Sequence, residues 1–201
     1  LTNGFSKKVE AHVAAVALIY LIALRLSGWQ AGLAAAALYC LSPIVVETAH
    51  LVKPHSYAIS WMLASVLAML SAARTGAPRW FLACGVAAGL SAGSSVLLAP
   101  FCALPLAAAL LRKKDWRAAL KGCLAAACAF FALNPYLLFS PGAFAWELQI
   151  YAAPGASKPS LGALARLAAA AWRTLGPGVC LLSLAGIVSG LRRGGQPRPH
   201  E

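Results

Sequence analysis

The chain has 201 residues, of which 61% are hydrophobic and 11% charged, with a mean hydropathy of +0.74. A soluble domain carries about a quarter charged residues, so this composition excludes an ordinary water-soluble globule. The net charge of +12 does not mark a nucleic-acid binder: the 17 Lys and Arg gather at the ends of apolar blocks, where they orient inserted helices, and no dense basic face with interleaved aromatics is present.

In chain order the apolar blocks run over 11–27, 30–46, 57–73, 80–93, 96–111, 120–139 and 178–191. They predict an all-α fold, a polytopic transmembrane helix bundle of about six or seven spans, in a single transmembrane domain covering 1–201. The first block follows Lys7 and Lys8 as a signal peptide would. It lacks a small-residue cleavage site followed by a soluble domain, and further apolar blocks succeed it at once, so it reads as a span. Arg25 closes it. The second block ends at Leu41-Ser42-Pro43, and the third is followed by Arg74 and Arg79.

In the fourth block Gly85, Gly89 and Gly93 recur every four residues and share one helix face, which predicts close packing, with Ala34–Ala37 of the second block as a thin partner. A glycine-lined substrate path is the other use of such a face. The blocks on either side of Gly93-Ser94-Ser95 form either two short spans or a re-entrant hairpin. Arg112, Lys113, Lys114, Arg117 and Lys121 follow the fifth block. Beyond the sixth, residues 140–175 form an outer loop with an interfacial helix at Leu161–Arg173, on which Arg166 and Arg173 share a face as an anchor or as contacts to a lipid phosphate. Gly176-Pro177-Gly178 turns the chain into the last block, closed by Arg192, Arg193 and Arg198. The side richer in cations is cytoplasmic by the positive-inside rule, so 46–56 and 140–160 face outward.

The six cysteines lie inside apolar runs without CxxC or Cys/His metal spacing and read as small hydrophobes; no metal or cofactor is expected. Of the five acidic residues, Asp115 lies in a basic loop and Glu201 is terminal, which leaves Glu10, Glu47 and Glu147 on the outer side. The densest polar constellation is Ser42–Ser56, where Glu47, His50, Lys53 and His55 crowd into one helix-end segment. On a helix Glu47 and His50 are i, i+3 neighbours, as are His50 and Lys53. Ionisable groups at membrane depth point to function; an interfacial loop whose polar heads reach water is the plainer reading.

A helix ending in Leu41-Ser42-Pro43, a segment with His50, then Lys53-Pro54 and a long apolar helix ending at Arg74 together resemble the middle of membrane glycosyltransferases of the type C fold. The branch most resembled is that of the protein O-mannosyltransferases, family 39 and dolichyl-phosphate-mannose-mannosyltransferase-like enzymes. The Gly-rich helix at 80–93, Asn134-Pro135-Tyr136 at an outer helix end and the Gly176-Pro177-Gly178 helix follow in the expected order. The resemblance implies a polyprenyl-phosphate-linked sugar and membrane lipid as partners, and sugar transfer on the outer face of a bacterial inner (plasma) membrane. Glu47 and His50 are then the available general bases, and Lys53, His55, Arg166 and Arg173 the groups on the lipid-phosphate substrate.

Family members carry an Asp after the Lys/Arg-Pro pair, where this chain has His55, and a Lys or polar-aromatic pair where it has Ser94-Ser95. Their acid of the first outer loop would lie before Leu1, so the resemblance implies either an N-terminally incomplete chain or a degenerate relative, inactive alone. A small transporter or scaffold subunit is the competing class, but no internal repeat is seen and the polar cluster lies at a helix end, not mid-span.

Overall fold

The computed structural model describes residues 2–42, 45–46, 55–112, 116–140 and 142. Among these, regular structure is helical throughout: α1 (Thr2–Ser27), α2 (Trp29–Cys40), α3 (His55–Thr75), α4 (Pro78–Ser94), a 3₁₀ segment (Val96–Ala103), α5 (Leu104–Arg112), α6 (Trp116–Leu133) and the single turn α7 (Tyr136–Phe139). Glu10–Ser27, Tyr57–Thr75 and Trp116–Leu133 are long and apolar enough to cross a membrane. This is an all-α membrane helix bundle. The expected last span at 178–191 and the outer loop at 140–175 lie outside the described residues, apart from Ser140 and Gly142.

The element ends follow local chemistry. Gly28 closes α1 and Gly76 follows α3, both at positive φ (94° and 68°), a backbone region that glycine enters without a Cβ clash. Gly76 N–H donates to Ala72 O at 2.8 Å, and Pro78 then opens α4 at the position where a missing N–H costs least. Ser95 is extended (φ −155°, ψ 111°) and ends α4. Pro100 keeps the return segment out of a regular α-helix by removing a donor.

Two boundaries differ from the hydropathy reading. Helix α1 begins at Thr2 rather than near Ala11, because helical backbone extends through the polar residues ahead of the apolar block. Helix α2 ends at Cys40, not Val46; at about 1.5 Å per residue its 12 residues reach about 18 Å, short of the about 30 Å hydrocarbon core.

Side-chain bonds fix the helix directions. Ser60 Oγ donates to Ala11 O at 2.8 Å, and Arg25 donates to Leu67 O at 3.4 Å and to Ser71 Oγ, so α1 and α3 run parallel. Ser91 Oγ donates to Ala58 O at 2.8 Å, while Phe81 and Ala72 share a core cluster, so α4 returns antiparallel to α3. That cluster also holds Ala108 and Ala109 of α5 and Ala119 of α6. The arms flanking Ser95 therefore lie antiparallel, and both reach the core cluster of Ala72, Phe81 and Ala119.

The glycine face of α4 is covered as its spacing predicts, with Gly85 and Gly89 buried and Gly93 half-buried, but its partner is α6 and not α2. A Cβ on Gly85 would run into the Gly122 carbonyl, and one on Gly89 into that of Ala126; a Cβ on Gly93 would lie 2.9 Å from Leu133 Cδ1. Residues 85, 89 and 93 thus meet 122, 126 and 133 in a parallel pair whose backbones touch. Tyr20 of α1 instead occupies the small-residue gap of α2 at Gly32. Buried Cys84 and half-buried Cys102 and Cys123 are free thiols around the 3₁₀ segment, with Cys102 Sγ 3.8 Å from Ala88 O.

Candidate active site

These directions sort the polar residues to two ends. Helices α1, α3 and α5 finish, and α2, α4 and α6 start, at an end carrying Arg25, Arg74, Arg79, Arg112, Arg117 and Lys121. The opposite end carries Glu10, the only acidic residue among the described ones, with Lys7 and Lys8 on the first turns of α1. The segregation expected from the charge count is therefore built into the bundle. Arg25 does more than mark a side. It bonds α1 to α3, and Arg74 donates back to the Arg25 carbonyl.

The two flanks of the polar segment also converge on the acid-bearing end. Ser42 follows α2 there, and its Oγ is buried with no hydrogen-bond partner among the described residues. His55 opens α3 at the same end. Glu47, His50 and Lys53 lie between these flanks but outside the described residues, as do Arg166 and Arg173 with the helix expected at Leu161–Arg173.

Beside the start of α3 is a groove of about 350 Å³ between α1 and α3. Ala11, Ala14, Leu18, Trp61 and Ala64 line its walls, and Glu10, Tyr57 and Ser60 supply its polar groups. Ser60 is held by its bond to Ala11 O. The groove therefore offers a carboxylate and two aromatic rings at a mostly apolar wall. In the sequence Glu10 falls on the outer side without a role, and residues 57 and 61 carry no signal beyond the apolar block at 57–73. Their proximity depends on α1 lying parallel to α3, which hydropathy does not reveal.

Asn134 secures the same end. Its Nδ2 donates to Gly93 O at 3.1 Å and to Phe130 O at 3.2 Å, joining the last carbonyls of α4 and α6. Asn134-Pro135-Tyr136, singled out as a helix-end motif, thus serves as a clasp beside Ser94 and Ser95.

Residues 9–142, two thirds of the chain, match the family described as dolichyl-phosphate-mannose-protein mannosyltransferase. The chain belongs to this family. The matched stretch runs from α1 through α7 and contains the whole Ser42–Ser56 segment, so the resemblance drawn from Leu41-Ser42-Pro43, Lys53-Pro54 and the Gly-rich helix is a true membership. No curated protein and no solved structure matches the chain. The family and the three long apolar helices make the protein an integral membrane protein of the glycosyltransferase class.

Proposed function

We propose that the chain is part of an enzyme that transfers a sugar from a polyprenyl-phosphate carrier to an acceptor hydroxyl on the outer face of a bacterial plasma membrane. The observation that carries this reading is the family match across residues 9–142, together with the convergence of Ser42 and His55 at the end of the bundle opposite Arg25, Arg74, Arg79, Arg112, Arg117 and Lys121. On the positive-inside rule that end faces outward.

The reaction asks for few groups. A base, Glu47 or His50, takes the acceptor O–H proton as the oxygen attacks the anomeric carbon. The bond from that carbon to the phosphate oxygen breaks, and the polyprenyl phosphate leaves with the electron pair. Lys53, with His55, Arg166 and Arg173, supplies positive charge for the leaving phosphate, a role suited to preorganised cations.

The test is transfer of radiolabelled sugar from a polyprenyl-phosphate donor to acceptor in membranes containing the full-length enzyme. Label transfer with release of polyprenyl phosphate, abolished in the Glu47→Gln, His50→Ala double variant, is expected. Donor movement across the membrane without transfer would instead support the transporter class, and full transfer by the double variant would remove both residues from the chemistry.

A further inference from the structure

We propose that the paired starts of α4 and α6, at the basic end and away from the proposed reaction site, bind the phosphodiester headgroup of an acidic phospholipid of the surrounding bilayer. Because α4 and α6 are parallel with Gly85 against Gly122 and Gly89 against Ala126, the same register sets Arg79 level with Trp116 and Trp80 level with Arg117. The Arg79 guanidinium carbon lies 5.9 Å from the Trp80 ring centroid, and Trp80 packs on the core cluster of Ala72, Phe81 and Ala119. Arg117 and Lys121 are exposed one turn apart on α6, with no ion pair among the described residues. Neither helix has an acidic residue in its first turn.

The apolar surface decides the kind of anion. On α4 the face that starts at Arg79 continues through exposed Leu82 and Val86, and on α6 the face of Arg117 and Lys121 continues through exposed Leu120 and Leu124. Each strip is cationic at its end and apolar toward the middle of the bundle. Indoles favour headgroup depth. A phospholipid matches that order, phosphate first and acyl chains after, whereas a soluble anion leaves the leucines unused. The proposed donor phosphate is assigned to the other end, so this site is independent of the transfer reaction.

Native mass spectrometry of the chain in detergent, titrated with phosphatidylglycerol or phosphatidylcholine of matched chains, tests the proposal. Phosphatidylglycerol is expected to bind more tightly. Arg79→Gln and Arg117→Gln are each expected to weaken it roughly fivefold, the effect of about one surface cation, while Arg79→Lys, Arg117→Lys and Lys158→Gln retain the preference. Circular dichroism verifies that each variant keeps its helices. Equal binding of the two lipids, or unchanged phosphatidylglycerol binding in both Gln variants, would overturn the proposal. Displacement of phosphatidylglycerol by inorganic phosphate would overturn the bilayer as the source of the ligand.

Discussion

Asn134 shows what a single side chain decides in a bundle of mostly apolar helices. Its amide donates to two carbonyls, Gly93 O and Phe130 O, so its task is donation at two helix C-termini. Asn134→Ala is expected to cost about 1–2 kcal/mol of stability for the lost bonds. Asn134→Asp should cost at least as much, because a carboxylate has no proton to donate and adds negative charge at helix C-termini. Thermal unfolding in detergent measures both, and an Asp variant as stable as the parent would show that donation does not matter. The motif was legible as a helix end. Its purpose was not, because its partner carbonyl lies 41 positions earlier. Arg25 teaches the same lesson: its charge was legible as a topological mark, while its bonds to Leu67 O and Ser71 required knowing that α3 lies alongside α1.

Among the described elements, α4 and α6 bring their backbones into contact. Gly85, Gly89 and Gly122 are sites where an added Cβ meets backbone; on Gly122 it would lie 2.6 Å from Phe81 O and 2.8 Å from Pro105 Cβ. Backbone cannot step aside as a flexible side chain can, so the helices must separate. Gly122→Ala should cost about 1–3 kcal/mol by overpacking, and Gly89→Leu should prevent the native bundle from forming. Gly142→Ala meets nothing within 4 Å and should change stability by less than about 0.5 kcal/mol. Equal unfolding midpoints for Gly122→Ala and Gly142→Ala would refute the contact. Period-four glycines announced a thin face from sequence alone. The partner was misassigned to α2 because spacing identifies a face and not what covers it.

At the scale of the whole molecule, the described cations beyond α1's first turns lie at one end, and the chain between Ser42 and His55 departs from and returns to the other. Outward exposure of that second end is testable in sealed cells by cysteine labelling on a cysteine-free background. Gly155→Cys should label from outside and Lys114→Cys should not; the reverse pattern would invert the orientation. Fold class and charge sidedness were legible because lipid imposes long apolar blocks and positive-inside loops. The groove of Glu10, Tyr57 and Trp61 was not, since it is assembled from helices more than 40 residues apart. Within the proposed site, Lys53 carries the sharpest demand: a desolvated phosphate contact contributes about 1.5–3 kcal/mol, an exposed cation at most about 1 kcal/mol. The decisive measurement is sugar transfer by the full-length enzyme at subsaturating lipid donor, comparing Lys53→Ala with Lys158→Ala, both verified as folded and inserted. The account predicts a loss of about tenfold or more for Lys53→Ala and little change for Lys158→Ala; equal activity in the two variants would contradict it.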